Sequence, residues 1–265
     1  MNVYFQELKM LRGTFIVWLL ALLALASIYL SVYPTFAKDA DVVTQALAHL
    51  PPAVKQAMGT GGFQIFTFPG FFANVLPILL LAGGIQTMNM GITLANREQL
   101  AQTTDFLISK PVGRSRIFLQ KLLAHLTVIF VTSGILISYI YAGSQMGGAG
   151  DFSMQTFLMI MAVFTGIQLW FLAVGLTVSA LVGRIRAVVG VSMAVVFGMF
   201  VLSLFGSVIG DEAIRYVTPF KYVDLLEVVT SQSYELPHII VWASIVIVGF
   251  VLSWIIYTRR DVRAS

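Results

Sequence analysis

Six long apolar runs constrain what this chain can fold into more than any other feature. They cover residues 14–33, 68–93, 117–141, 154–182, 187–209 and 238–257, and each reaches or exceeds the roughly 20 residues a helix needs to cross about 30 Å of hydrocarbon. A run of that length satisfies its own backbone hydrogen bonds in lipid only as a helix, and the short alternating segments of a membrane barrel are missing. The expected fold class is an all-α integral membrane protein with six transmembrane helices. No soluble-domain boundary and no repeat of solenoid period interrupts residues 1–265, which read as a single membrane domain.

Charge sets the orientation. Six crossings leave both termini on one side, and the segments on that side carry Lys9, Arg12, Arg97, Lys110, Arg114, Arg116, Lys121, Arg184, Arg186, Arg259, Arg260 and Arg263. The opposite side holds Lys38, Lys55, Arg215 and Lys221. The positive-inside rule therefore makes both termini cytoplasmic in a multi-pass protein of the cell (inner, cytoplasmic) membrane. The net charge of +4 follows from that bias and from contact with anionic membrane lipid, so nucleic acid is not an expected partner. Lys9 and Arg12 ahead of the first run, with Thr35-Phe36-Ala37 after it, imitate a signal peptide; the apolar run is too long for one and reads as a retained anchor.

Two outer segments exceed simple turns. In 34–67, residues 43–50 and 53–58 suggest two short surface helices separated by Pro51-Pro52 and stopped at Gly59. In 210–237, Asp211 and Glu212 suit a helix start, Pro219 a bend, and 222–229 an amphipathic turn or two. A full crossing by 210–237 is disfavoured by Asp211, Glu212, Arg215, Lys221, Asp224, Glu227 and Glu235, each costing about 2.5–3.5 kcal/mol at the bilayer centre, which leaves a shallow re-entrant hairpin bent at Pro219 as the alternative. It should fold as short helices over the outer mouth. The outer segments are acidic on balance, which suits a cationic peptide or another extracytoplasmic partner.

Catalytic signatures are absent from the sequence. It holds no phosphate-cradling glycine loop, no His-Glu-x-x-His and no cysteine, so no catalytic residue and no metal site is assigned. His49, His125 and His238 are far apart; the last two lie near span ends and read as interfacial. In the second span Asn74, Pro77, Gly83, Gly84, Gln86 and Asn89 can kink a helix, line a path or bond neighbouring helices, with packing the favoured reading. Gly190, Ala194 and Gly198 repeat every fourth residue in the fifth span and allow close helix contact. No span carries an acidic residue near its centre, which argues against a proton- or sodium-driven transporter.

The charged insert 97–116 is left to do the chemistry of recognition. On a helix Leu100, Thr104, Leu107 and Pro111 fall near one face while Gln99, Gln102, Asp105 and Ser109 point elsewhere. Pro111 ends that helix and Gly113 can cap the next, with Arg114, Arg116 and Lys121 at the cytoplasmic lipid boundary. Glu98, Thr103, Phe106, Leu107, Ser109, Pro111, Val112, Arg114 and Lys121 resemble the first cytoplasmic loop of type-2 ATP-binding-cassette (ABC) exporter permeases. Gln102, Ile108 and Gly113 depart from that pattern, and Gln102 removes a glycine hinge. Residues 4–12 resemble the elbow helix such permeases lay along the inner interface, and Thr218 to Asp224 and the Tyr257 to Asp261 ending are also similar to theirs.

The resemblance implies the type-2 ABC exporter permease fold, with an N-terminal interfacial elbow helix and short extracytoplasmic helices. It implies a coupling helix, carried by Arg97, Glu98, Leu100, Thr103, Thr104, Asp105, Phe106, Leu107, Lys110, Pro111 and Arg114, that seats on a separate cytoplasmic ATPase. Arg184 and Arg186 mark the second cytoplasmic loop. Two copies of the ATPase would bind ATP and magnesium, this chain holding no cofactor, and a second permease, identical or paralogous, would complete a dimer. Two other classes remain open here: a membrane-embedded enzyme, and a non-transporting immunity or scaffold protein.

Overall fold

Where the six apolar runs stood in the sequence, the computed structural model places six long helices. It describes residues 3–48, 67–100, 113–149, 152–182, 185–209 and 212–259. In chain order these form α1 (Val3–Ala48), α2 (Phe68–Leu100), α3 (Arg114–Met146), α4 (Met154–Val182), α5 (Val188–Ile209), α6 (Glu212–Val217), a 3₁₀ turn (Pro219–Lys221), α7 (Leu225–Ser231) and α8 (Leu236–Arg259). The long helices α1 to α5 and α8 each contain a stretch long and apolar enough to cross a membrane. No strand occurs among the described residues.

Local chemistry places several ends. Gly113 is the N-cap of α3, with its carbonyl accepting the first turn's N–H groups. Gly148, at φ +72°, turns the chain after α3, a conformation that glycine adopts without Cβ strain. Asp224 caps α7 by accepting from the amides of Leu226 and Glu227; this cap, and not Tyr222, begins the amphipathic turn of the outer segment. Short helices therefore fill the described part of 210–237, as the density of charge requires.

α1 is longer than its apolar run, because Gly13 and Pro34 lie inside it without stopping it. A single glycine costs only about 1 kcal/mol, and neighbours can make good the one bond a proline removes. Residues 43–48, expected in a separate surface helix, are the end of α1; the call on 53–58 falls outside the described residues. The elbow is also continuous with the span, yet it changes direction. Ser27 meets Tyr139 of α3 across 112 residues of sequence, whereas Tyr4 meets Thr127 across 123. Two straight parallel helices would keep that offset constant, and the change amounts to roughly 16 Å of helix rise. Leu8, Arg12 and Phe15 also gather at Thr127, Val128 and Val131. The first three turns of α1 thus cross α3 at one level, and the rest runs beside it.

α2 and α4 form the centre. They run parallel and approach until backbone touches backbone: a Cβ on Gly91 would lie 2.6 Å from the Leu172 carbonyl oxygen, and one on Gly175 2.6 Å from that of Met88. The Ser179 hydroxyl donates to the Ile92 carbonyl at 2.9 Å in the same seam. Phe164 and Phe171 fill the space over Gly83 and Gly84. At the outer end Tyr33, Phe68, Phe71, Phe152 and Phe157 make an aromatic cluster that ties α1, α2 and the start of α4 together, each such pair contributing about 0.5–1.5 kcal/mol beyond its burial. The Gly190, Ala194 and Gly198 stripe of α5 is not used in this way. All three are exposed, and Gly198 has open space where a Cβ would stand.

Candidate functional site

Polar groups inside the bundle are few and mostly paired. The Ser133 hydroxyl on α3 donates to Gln168 Oε1 on α4 at 3.0 Å, and Gln168 Nε2 donates to Gln86 Oε1 on α2 at 3.4 Å. This chain crosses three helices with Gln86 and Gln168 wholly buried, and it leaves Gln86 Nε2 as the one amide group of the three residues without a partner. Gln168 was not singled out by sequence; its position one turn past Phe164 on the buried face of an apolar helix is the signal that would have found it. Gln86 is thus buried between helices and bonded to a neighbouring one.

Asn74 and Asn89 differ from it. Asn74 is exposed and folds back to donate to the Gly70 carbonyl at 2.9 Å. Asn89 is half-buried and accepts from Thr93. Fifteen residues separate them, about four turns, so they lie near one face of α2 some 22 Å apart. Ile78, Leu81, Ile85 and Thr93 belong to the same incompletely covered stripe.

The features at the end of the bundle that holds the start of α1 and the end of α8 are partly in view. The apolar run that begins α2 covers 68–93 in the sequence, and the helix continues to Leu100, so Arg97, Glu98 and Leu100 are its last turns and not a detached segment. Thr103, Thr104, Asp105, Phe106, Leu107, Lys110 and Pro111 lie outside the described residues, as does Arg184. Arg114 is half-buried at the start of α3, and Arg186 is exposed ahead of α5. Lys121 does not lie out in the lipid boundary: it is only 7% exposed. His125, one turn further, is buried too, with Nδ1 2.9 Å from the Lys121 carbonyl. Both face inward, which sequence spacing does not reveal.

The outer cap is held by charge and hydroxyls. Arg215 donates to Glu235 at 2.9 Å, and Glu235 lies 2.6 Å from His238 Nδ1, a close contact that is not an aligned hydrogen bond. The Tyr216 ring stacks on that of His238 at 4.8 Å. His238 is thus buried under the cap instead of resting at the lipid interface; its i,i+3 spacing from Glu235 was legible and overlooked. The Arg215 guanidinium holds the Glu235 carboxyl below the usual carboxylate range, while hydrogen bonding to Glu235 pushes Glu227 above it. Tyr234 donates to the Met159 carbonyl at 2.7 Å and Gln232 to Thr156 at 2.9 Å, which fasten the cap to the outer end of α4. Among the described residues no group of three metal-ligating side chains occurs.

Six membrane-length helices around a buried amide chain, with short charged helices over one end, define a polytopic all-helical membrane protein of the permease class. A family model described as the multidrug efflux system permease Rv1217c, C-terminal domain, matches residues 7–257, and the chain belongs to that family. It is the membrane permease subunit of an ABC transport system, as the loop and topology implied. No curated protein matches the chain.

Proposed function

We propose that this chain is the membrane-spanning half of an ABC exporter that works as a dimer of permeases with two cytoplasmic ATPases. The observation that carries this reading is the match of nearly the whole chain to an efflux-system permease family. ATP and magnesium belong to the ATPases. The docking element is the segment from Arg97 to Arg114, supported by the continuation of α2 to Leu100, past its apolar run 68–93 and into the charged insert. ATP binding closes the ATPase pair, displaces the docked segments and shifts the permeases between two states; this requires that ATP favour one state over the other. The path runs along the incompletely covered stripe of α2 between Asn74 and Asn89, opposite a second copy. From the family's description we take the cargo to be small drug-like compounds moving outward.

Coexpression with the cognate ATPase tests the docking. Phe106→Ala should weaken recovery of the ATPase with the permease by about thirtyfold, the effect of removing an aromatic anchor worth about 2 kcal/mol, and should abolish drug-stimulated ATP hydrolysis. Equal recovery and equal stimulation would overturn the assignment. Single cysteines at Glu227 and Glu235 test the orientation, since an impermeant thiol reagent should reach them only from outside.

A further inference from the structure

The angle between the crossing arm of α1 and the shaft of α3 encloses a groove of about 150 Å³, lined by Leu8, Arg12 and Phe15 on one side and Thr127, Val128 and Val131 on the other. We propose that this groove is a binding site for one anionic phospholipid, with the phosphate on Arg12 and an acyl chain along Phe15, Val128 and Val131. Three observations converge on that occupant.

The first is depth. The apolar run of α1 begins at Thr14, two residues after Arg12, so Arg12 stands at the boundary where headgroups lie and Phe15 about one turn deeper. The second is charge. Arg12 is exposed and has no hydrogen bond or ion pair to another described residue, and exposed Lys9 lies three residues away on the same helix face. Glu7, the acidic residue of the arm, is buried on a different face, only 5% exposed. An anion at the mouth of the groove therefore meets two cations and no competing carboxylate of the arm. The third is the wall. Its single hydroxyl is already engaged, because Thr127 donates to the Leu123 carbonyl at 2.8 Å and meets Tyr4 at 3.0 Å. The remaining surface is hydrocarbon, which a free phosphate cannot use and an acyl chain can. A zwitterionic lipid would match the wall but bring its own cation beside Arg12 and Lys9.

The site stands on the fold of this chain alone, so its test needs neither the ATPase nor a fixed orientation. Permease purified in detergent with equal amounts of phosphatidylglycerol and phosphatidylcholine is weighed intact by native mass spectrometry. One retained phosphatidylglycerol is expected, in excess over phosphatidylcholine. Arg12→Gln should lower its retention about fivefold, the effect of one basic residue at a membrane surface. Val131→Trp fills the groove with the charge intact; Val131 is 44% exposed, so the fold tolerates it, and retention should fall at least as far. Val189→Trp on the open face of α5 is the control and should retain lipid as the parent does. Undiminished phosphatidylglycerol in Arg12→Gln or in Val131→Trp, or equal retention of the two lipids by the parent, would overturn the proposal.

Discussion

The seam between α2 and α4 and the seam between α1 and α3 each join parallel helices, but by different means. The first is closed by small residues: Gly91 and Gly175 bring main chains together, Ser179 bonds across, and the amides of Gln86 and Gln168 meet inside. The second packs side chains instead, with Leu30 lying over Gly143, and adds two hydroxyl pairs, Tyr4 with Thr127 and Ser27 with Tyr139, separated by a change of direction. It leaves two grooves, the one at Arg12 and a larger one of about 360 Å³ beside Leu30, Ser31, Tyr139 and Met146. In lipid the hydrophobic effect does not press helices together, so close packing and interhelical hydrogen bonds must do so. Where both run the length of the contact the main chains meet, and where they are interrupted grooves remain.

Gly175→Val should break the comparison most severely. Its Cβ would stand 2.6 Å from a main-chain oxygen that cannot swing aside, and the helices would have to separate at a cost of about 3 kcal/mol. Thermal unfolding in detergent should show a large loss of midpoint, and an unchanged midpoint would mean the seam is loose. Next comes Gln168→Leu. It removes both bonds of the amide chain, at about 0.6 kcal/mol each on average in membrane proteins, and leaves Gln86 wholly unpaired. A loss of about 1–2 kcal/mol in the same assay is expected; a gain would show that the chain is a burden on stability retained for another reason.

The cap supplies a third kind of contact, and its pH response sharpens the contrast with both seams. Glu235 is held below its ordinary 4.5 chiefly by the hydrogen bond from Arg215. Its pairing therefore stabilises the cap above that value and is lost only as pH falls through the lowered one. Glu227 is shifted upward by its hydrogen bond to Glu235, so its protonated form is the favoured one and that contribution disappears as pH rises through the raised value. On acidification Glu227 should take up its proton first, with α6 keeping its amide protection against hydrogen exchange until the Arg215–Glu235 pair is discharged at lower pH. Loss of protection at the first step would assign the cap's hold to Glu227. Glu235→Gln should cost at most about 1 kcal/mol, because the pair is partly exposed. Tyr139→Phe, which removes only the exposed bond to Ser27, should change stability least, by about 0.5 kcal/mol.

Period and composition alone were enough for the six crossings, for the cap's failure to cross and for the break at Gly113, because hydrocarbon thickness, charge desolvation and helix capping act on local sequence. Partnership between helices was not available at that level. Gly190, Ala194 and Gly198 carry the small-residue spacing of a close crossing, yet the crossing is made by Gly91 and Gly175, each alone in its turn. Lys121 and His125 look like boundary residues and are buried, which only the packing around α3 in three dimensions decides. In an apolar solvent almost every face of an apolar helix is acceptable to its surroundings. Hydropathy therefore settles that a helix spans, and only the tertiary contacts of backbone with backbone and amide with amide decide which helices become neighbours.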